Sequence, residues 1–205
     1  RGLGDVYKRQ RRTCDANTTE LTAMKTWIAM LRGVNMVGNR KLPMKELIPI
    51  LEGIGARDVK TFGQSGNAIF RHRARVPARL AKRIRDAVGK AFPFEPLVMM
   101  LERETLARVI AENPFPEAEA EPGALVVGFL ETVPERPDLE MLEAVRRKRE
   151  RFSLCGDVFY FYAPEGFHKT KLGGKLERAL GVGKQGTGRT LGTLKRVLAI
   201  ADEME

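Results

Sequence analysis

The chain has 205 residues, of which 43% are apolar, and a formal net charge of +10 with an isoelectric point near 9.9. This length and apolar content allow a buried core, in one domain or two small coupled halves. The only cysteines, Cys14 and Cys155, exclude a disulfide framework and a cysteine zinc site. We therefore expect a reducing, cytoplasmic location. No run reaches the about 20 apolar residues that a membrane helix needs, so no membrane is expected.

The positive charge favours an anionic small molecule or nucleic acid as partner, through phosphate contacts and counterion release. A drift in composition towards arginine, as in GC-rich genomes, would give the same charge, and both explanations stay open.

Residues 1–23 precede the first regular pattern. The run DVYKRQ at 5–10 resembles the translation of a transposon-end adapter, so we expect an artefactual or disordered leader with Met24 as the natural start. A natural basic leader is the alternative.

Hydrophobic periodicity then predicts a first half over residues 24–116. Its predicted elements are a strand at 26–31, a helix from 43, strands at 59–62 and 68–72, a helix from 77 and a strand at 97–101. The order βαββαβ is typical of a ferredoxin-like half.

A helix at 104–112 and an acidic, proline-containing segment up to Gly123 separate this half from a second, over residues 117–205. The predicted elements there are a strand at 124–130, a helix at 138–147, strands at 151–155 and 158–162, and helices near 172–180 and 191–201. The order βαββα resembles the first half. The predicted fold is α/β (α+β), with two ferredoxin-like βαββαβ-type halves packed together.

Three sequence motifs of this chain resemble those of a known protein family: LRGVN at 31–35, GNRKLPM at 38–44 and TFGQSGNAIF at 61–70. Together they resemble the signature of the bacterial domain of unknown function 1697 family, and the resemblance continues through NPFP at 113–116 to the last helix. The family carries no established activity. The resemblance therefore implies a relation and a fold, but no reaction.

The loop after the first strand is the first candidate site. Its glycines let backbone amides approach a ligand, and Arg32, Asn35 and Lys41 supply donors for an anion. Solvated cations in an ordinary turn are the alternative.

The turn at 63–67 contains Ser65 and Asn67 and invites comparison with the Gly-x-Ser-x-Gly elbow of hydrolases. It ends in Asn instead of Gly and joins two strands, so hydrolase chemistry is disfavoured. Hydrogen bonding within the turn is the preferred interpretation.

The glycine-rich segment 183–190 has phosphate-loop spacing but lacks the preceding buried strand, which disfavours a nucleotidase. We expect a turn whose free amides, at the start of a helix, suit an anion.

Arg189 and Thr193 match the family pattern Arg-Asn-aromatic-x-Thr, whereas its Asn and aromatic residues are lost. Lys171 matches the family's usual lysine before a helix.

These candidates combine into one hypothesis, a basic pocket between the halves that binds an anionic small molecule or a nucleic-acid backbone. Its predicted ligand-binding residues are Arg32, Asn35, Lys41, Ser65, Asn67, Lys171, Arg189 and Thr193. An enzyme of unassigned reaction and a protein interaction module are the alternatives. We expect no cofactor and, because no His, Asp or Glu cluster has ligand spacing, no metal.

Overall fold

The structure, a computed structural model, describes residues 24–35, 40–181 and 186–205, without the side chain of His168. The predicted leader at 1–23 lies outside the described residues. The strands are β1 (Lys25–Arg32), β2 (Arg57–Phe62), β3 (Asn67–His72), β4 (Leu97–Glu102), β5 (Leu125–Leu130), β6 (Arg151–Cys155), β7 (Val158–Tyr162) and β8 (Gly186–Thr190). The helices are α1 (Met44–Gly53), α2 (Pro77–Ala91), α3 (Arg103–Ala111), α4 (Leu139–Val145), α5 (Gly173–Leu180) and α6 (Leu191–Asp202).

The strands form two four-stranded sheets with equivalent topology. The first has the order β2-β3-β1-β4 and the second β6-β7-β5-β8, and all neighbours are antiparallel. Each half thus runs βαββαβ with its first strand at the centre, between its third and fourth strands. The predicted class, an α/β fold of two ferredoxin-like halves, is confirmed. A short 3-10 turn, Pro116–Glu119, lies at the predicted boundary between the halves.

The strand β1 is buried on both faces, which explains its continuous apolar sequence. Trp27, Ala29 and Leu31 pack towards α1 and α2, whereas Ile28 and Met30 belong to the core between the two sheets. The alternation of side chains along the strand therefore assigns each to one of two cores.

The core between the sheets also takes in the helices that follow each half, α3 and α6. Tyr160 on β7 is buried there, and its hydroxyl donates to the carbonyl of Val109 on α3 at 2.9 Å. Burial raises the pKa of Tyr160 to about 12, so the hydroxyl stays a donor. A third core lies on the outer face of the second sheet, under α4 and α5.

One local expectation is wrong. The glycine-rich segment was expected to be a turn with free amides, but residues 186–190 form β8, which pairs with β5 over Val126 to Leu130. Two of the five residues of this fourth strand are glycines, which have low strand propensity, so tertiary pairing overrides local preference here. The remainder of the segment, 183–185, lies outside the described residues.

In the part of the chain that the structure describes, no helix has the length and apolar character to cross a membrane.

We predict that Gly66 is intolerant of a side chain. Its φ is +78°, and a Cβ there would lie 2.7 Å from Val34 Cγ2 and 2.8 Å from Leu31 Cβ. We expect Gly66→Ala to lower the free energy of unfolding by about 2–4 kcal/mol in urea titrations. Gly63→Ala is the matched control. Gly63 also has a positive φ, but no atom of the described residues beyond its chain neighbours lies within 4 Å of a Cβ built there, so we expect a loss in the free energy of unfolding of about 1 kcal/mol. Equal losses in the two variants would contradict the close packing.

Candidate functional site

A cleft of about 490 Å³ lies where the end of β1 meets the edge of the second sheet. We call it the interhalf cleft. One wall is the segment 31–34, and another is α5, which stands over the outer face of β5 and β8. The residues that line the cleft include Leu31, Arg32, Ser65, Gly128, Phe159, Phe161, Leu176, Glu177, Leu180, Gly186, Thr187, Gly188 and Arg189.

Glycines create the floor of this cleft. Gly128 on β5 pairs directly with Gly188 on β8, and Gly186 lies next along the same face. Side chains at these three positions would project from the sheet towards α5. Three neighbouring positions without side chains leave the space empty, while Phe159 and Leu176 form apolar walls around it.

Arg32 lies at the rim of the cleft and connects the two halves. Its Nη1 donates to the carbonyl of Gly186 at 2.8 Å, and its Nη2 forms an ion pair with Oε1 of Glu177 on α5. The two side chains are 35% and 43% exposed. The other three N–H groups of Arg32 have no partner among the described residues, so this guanidinium has donors to offer.

Arg189 is buried on the opposite side of β8, between the two sheets, with 8% of its surface exposed. Its Nε donates to Oδ1 of Asn67 at 2.6 Å, and its Nη2 donates to the carbonyls of Leu31 and Ser65 at 2.8 and 2.7 Å. Its Nη1 donates to Thr187 Oγ1 and to the carbonyl of Gly188. The guanidinium thus joins β8 to both β1 and the turn before β3.

All partners of Arg189 are neutral. Within the described ranges, no carboxylate oxygen lies within 4 Å of its nitrogens. Burial lowers the pKa of Arg189 to about 10, because the charged form loses hydration. The group still carries its proton at pH 7, so it adds a buried positive charge beside the cleft.

The two predicted asparagines fasten the surrounding loops. Asn35, with φ of +54°, accepts from the amide of Leu42 and donates to the carbonyls of Leu42 and Gln64. Asn67 is fully buried and donates to the carbonyl of Phe62 and to Ser65 Oγ, besides accepting from Arg189. Both side chains are engaged within the protein, and they hold the walls of the site in place.

Among the described side chains, Ser65 has no histidine partner of the kind that a nucleophilic serine needs. His72 lies at the other end of β3, with its Nδ1 accepting from the amide of Ala74 and its Nε2 close to the carbonyl of Ile54. Both ring nitrogens of His72 are therefore used at that end of the strand. This geometry agrees with the interpretation of the 63–67 segment as a turn.

The remaining predicted residues do not line the cleft. Lys41 is exposed on the loop that Asn35 fastens, and Lys171 is exposed two residues before α5 begins. Thr193 lies in the first turn of α6, where its amide donates to Oγ1 of the N-cap Thr190. Of the eight predicted residues, the structure therefore brings Arg32, Ser65 and Arg189 to the cleft. Ligand binding by any of the eight stays a prediction.

Sequence reasoning missed Glu177 and the glycine floor. Glu177 is one of many helical carboxylates, and only the approach of α5 to β1 makes it a partner of Arg32. The pattern predicts a turn for the glycines at 186 and 188, but the pairing of Gly188 with Gly128 depends on a strand that the pattern does not predict. The described residues bring together no group of three His, Cys, Asp or Glu side chains that could hold a metal ion.

The architecture defines a class of protein, two ferredoxin-like halves with a cleft at their junction. A family described as "Protein of unknown function (DUF1697)" matches residues 24–160, and the chain belongs to this family. Among solved structures, the conserved bacterial protein SP0830 from Streptococcus pneumoniae is similar, with a TM-score of 0.64 and 22% identity over 88% of this chain and 99% of that chain. At this identity the likeness concerns the fold. No curated protein matches the chain.

We predict that Arg189 stabilises the junction of the halves. Arg189→Met would leave buried acceptors on Asn67, Leu31 and Ser65 unpaired, a loss that the removal of a desolvated charge only partly offsets. We expect the free energy of unfolding to fall by about 2–4 kcal/mol in urea. The exposed Arg196 on α6 gives the matched control, and Arg196→Met should change the stability by less than about 0.5 kcal/mol. A small effect of Arg189→Met would remove this structural role.

Proposed function

We propose that this protein binds an anionic small molecule in the interhalf cleft, with Arg32 as the residue that contacts the negative group. The observation that carries the proposal is the position of Arg32 at the rim of a mostly apolar cleft, with three N–H groups free of partners among the described residues. Concave, largely apolar sites with a few convergent polar groups are typical of small-molecule binding. The proposal includes a cytoplasmic location, which the low cysteine content favours.

The electrostatics of the site support an anion. Arg189 adds a second positive charge behind the cleft floor, and its hydrogen bonds to neutral groups leave that charge uncompensated by a carboxylate among the described residues. Charges in a partly enclosed, low-dielectric site act more strongly than charges on an open surface. Arg189 thus contributes to the potential, whereas Arg32 contributes direct contact.

The nucleic-acid form of the hypothesis receives less support from the same geometry. A backbone reader needs cations spaced along an open surface, but the cleft is concave and Lys41 and Lys171 are outside its lining. Binding of short RNA and DNA oligonucleotides should therefore be measured beside the binding of small anions. Affinity that falls steeply with salt would favour the nucleic-acid backbone over a small molecule.

The proposal predicts that anionic metabolites stabilise the protein through Arg32. In thermal denaturation with a panel of carboxylates, sugar phosphates and nucleoside monophosphates, a ligand at 100 times its Kd should add about 2.7 kcal/mol of stability. We expect Arg32→Gln to reduce the affinity about tenfold or more, because a charge-assisted contact is lost.

The matched control is Arg178→Gln, which removes an equal charge from the exposed face of α5, next to Glu177 but outside the cleft lining. It should keep the stabilisation. A panel without any stabilising member, or a ligand whose effect survives Arg32→Gln, would overturn the proposal.

A further inference from the structure

The charged groups of the described residues indicate how much negative charge a ligand should carry. Arg32 and Glu177 form an ion pair at the rim of the cleft, and Arg189 lies buried behind the cleft floor. A ligand with one negative charge that takes the place of Glu177 leaves the charge balance at the rim unchanged. A nucleotide or diphosphate carries two or more negative charges, and the loss of hydration in a partly enclosed space costs more for such a group than for one carboxylate.

Glu177 occupies the place that a ligand carboxylate would take. Its Oε1 is paired with Nη2 of Arg32, and the planar guanidinium fork is geometrically suited to carboxylates. The Glu177 side chain is 43% exposed, so the existing ion pair is worth little and the side chain is free to turn to solvent. Exchange of one carboxylate for another keeps Arg32 paired throughout.

The rest of the cleft suits an apolar body. Phe159, Phe161, Leu176 and Leu180 form its walls above the glycine floor, and a volume of about 490 Å³ accommodates a molecule of drug-like size. Among the described lining residues, the other side-chain hydrogen-bonding groups are the hydroxyls of Ser65 and Thr187, which already bond to Asn67 and Arg189. A sugar or another polyhydroxylated body would therefore lose more hydration than the walls replace.

From these observations we propose that the cleft takes a largely apolar carboxylic acid with one negative charge, whose carboxylate displaces Glu177 from Arg32. This inference rests on the proposed function and specifies its ligand class.

The test uses three naphthalene probes that share one apolar body: 1-naphthoate, 1-naphthyl phosphate and the neutral 1-naphthamide. Isothermal titration calorimetry of the full chain compares their affinities. The measurements are made at about pH 7.5, where the carboxylic acid is ionised. We expect 1-naphthoate to bind about tenfold more tightly than either other probe.

Two variants separate this inference from a general charge effect. Glu177→Gln removes the competing carboxylate and should tighten 1-naphthoate about tenfold without changing the affinity for 1-naphthamide. Glu140→Gln, which makes the same charge change at an exposed position of α4, should leave both affinities unchanged.

A third variant, Gly128→Ala, tests whether the probes bind in the cleft. It places a methyl group on the cleft floor, where its nearest neighbours lie at 3.6 and 3.8 Å, and should weaken every probe that binds.

The outcomes distinguish this inference from the proposed function. If 1-naphthyl phosphate binds best and Arg32→Gln removes its binding, the ligand class is wrong and the anion site stands. If no probe binds while a member of the metabolite panel does so through Arg32, the apolar carboxylic acid is again excluded. If Glu177→Gln weakens 1-naphthoate, the displacement is wrong. Absence of binding in both experiments would overturn the inference and the proposed function together.

Discussion

The buried guanidinium of Arg189 is the interaction on which the junction of the two halves depends. It reaches from the edge strand of the second sheet to the end of β1 and the turn before β3, and all five of its N–H groups have acceptors. The planar fork of arginine can satisfy several fixed carbonyl groups at once, which a lysine ammonium at one point cannot. Without these bonds, the buried acceptors would lack partners, and β8 would lose most of its hydrogen bonds to the first half.

The same junction produces the cleft. The side chains of Arg189 and Thr187 point into the space between the sheets, so Gly186 and Gly188, which alternate with them along β8, face outward, towards α5. Because Gly128 lies opposite Gly188, the sheet has no side chains at this point, and α5 spans a gap instead of packing on it. One strand therefore fastens the halves with one face and opens a cavity with the other.

Several features could be predicted from residue patterns because they depend on local periodicity. The runs at 26–31 and 158–162 each predicted a strand, and both strands are confirmed, as is the βαββαβ order of the first half. The strand β8 could not be predicted in this way. Glycine has low strand propensity, and what stabilises Gly186–Thr190 as a strand is pairing with β5, some 60 residues away in the chain.

The amino-acid sequence by itself determined the family and the α/β class with two similar halves, and it singled out Arg32, Asn67 and Arg189 as candidate site residues. Only the tertiary structure decided what those residues do: Arg189 is a buried connector, Asn67 is its acceptor, and Arg32 is the exposed group facing Glu177. The physical reason is that periodicity reports which face of an element is apolar. The role of a polar side chain depends instead on which distant groups the packed elements bring within hydrogen-bonding distance.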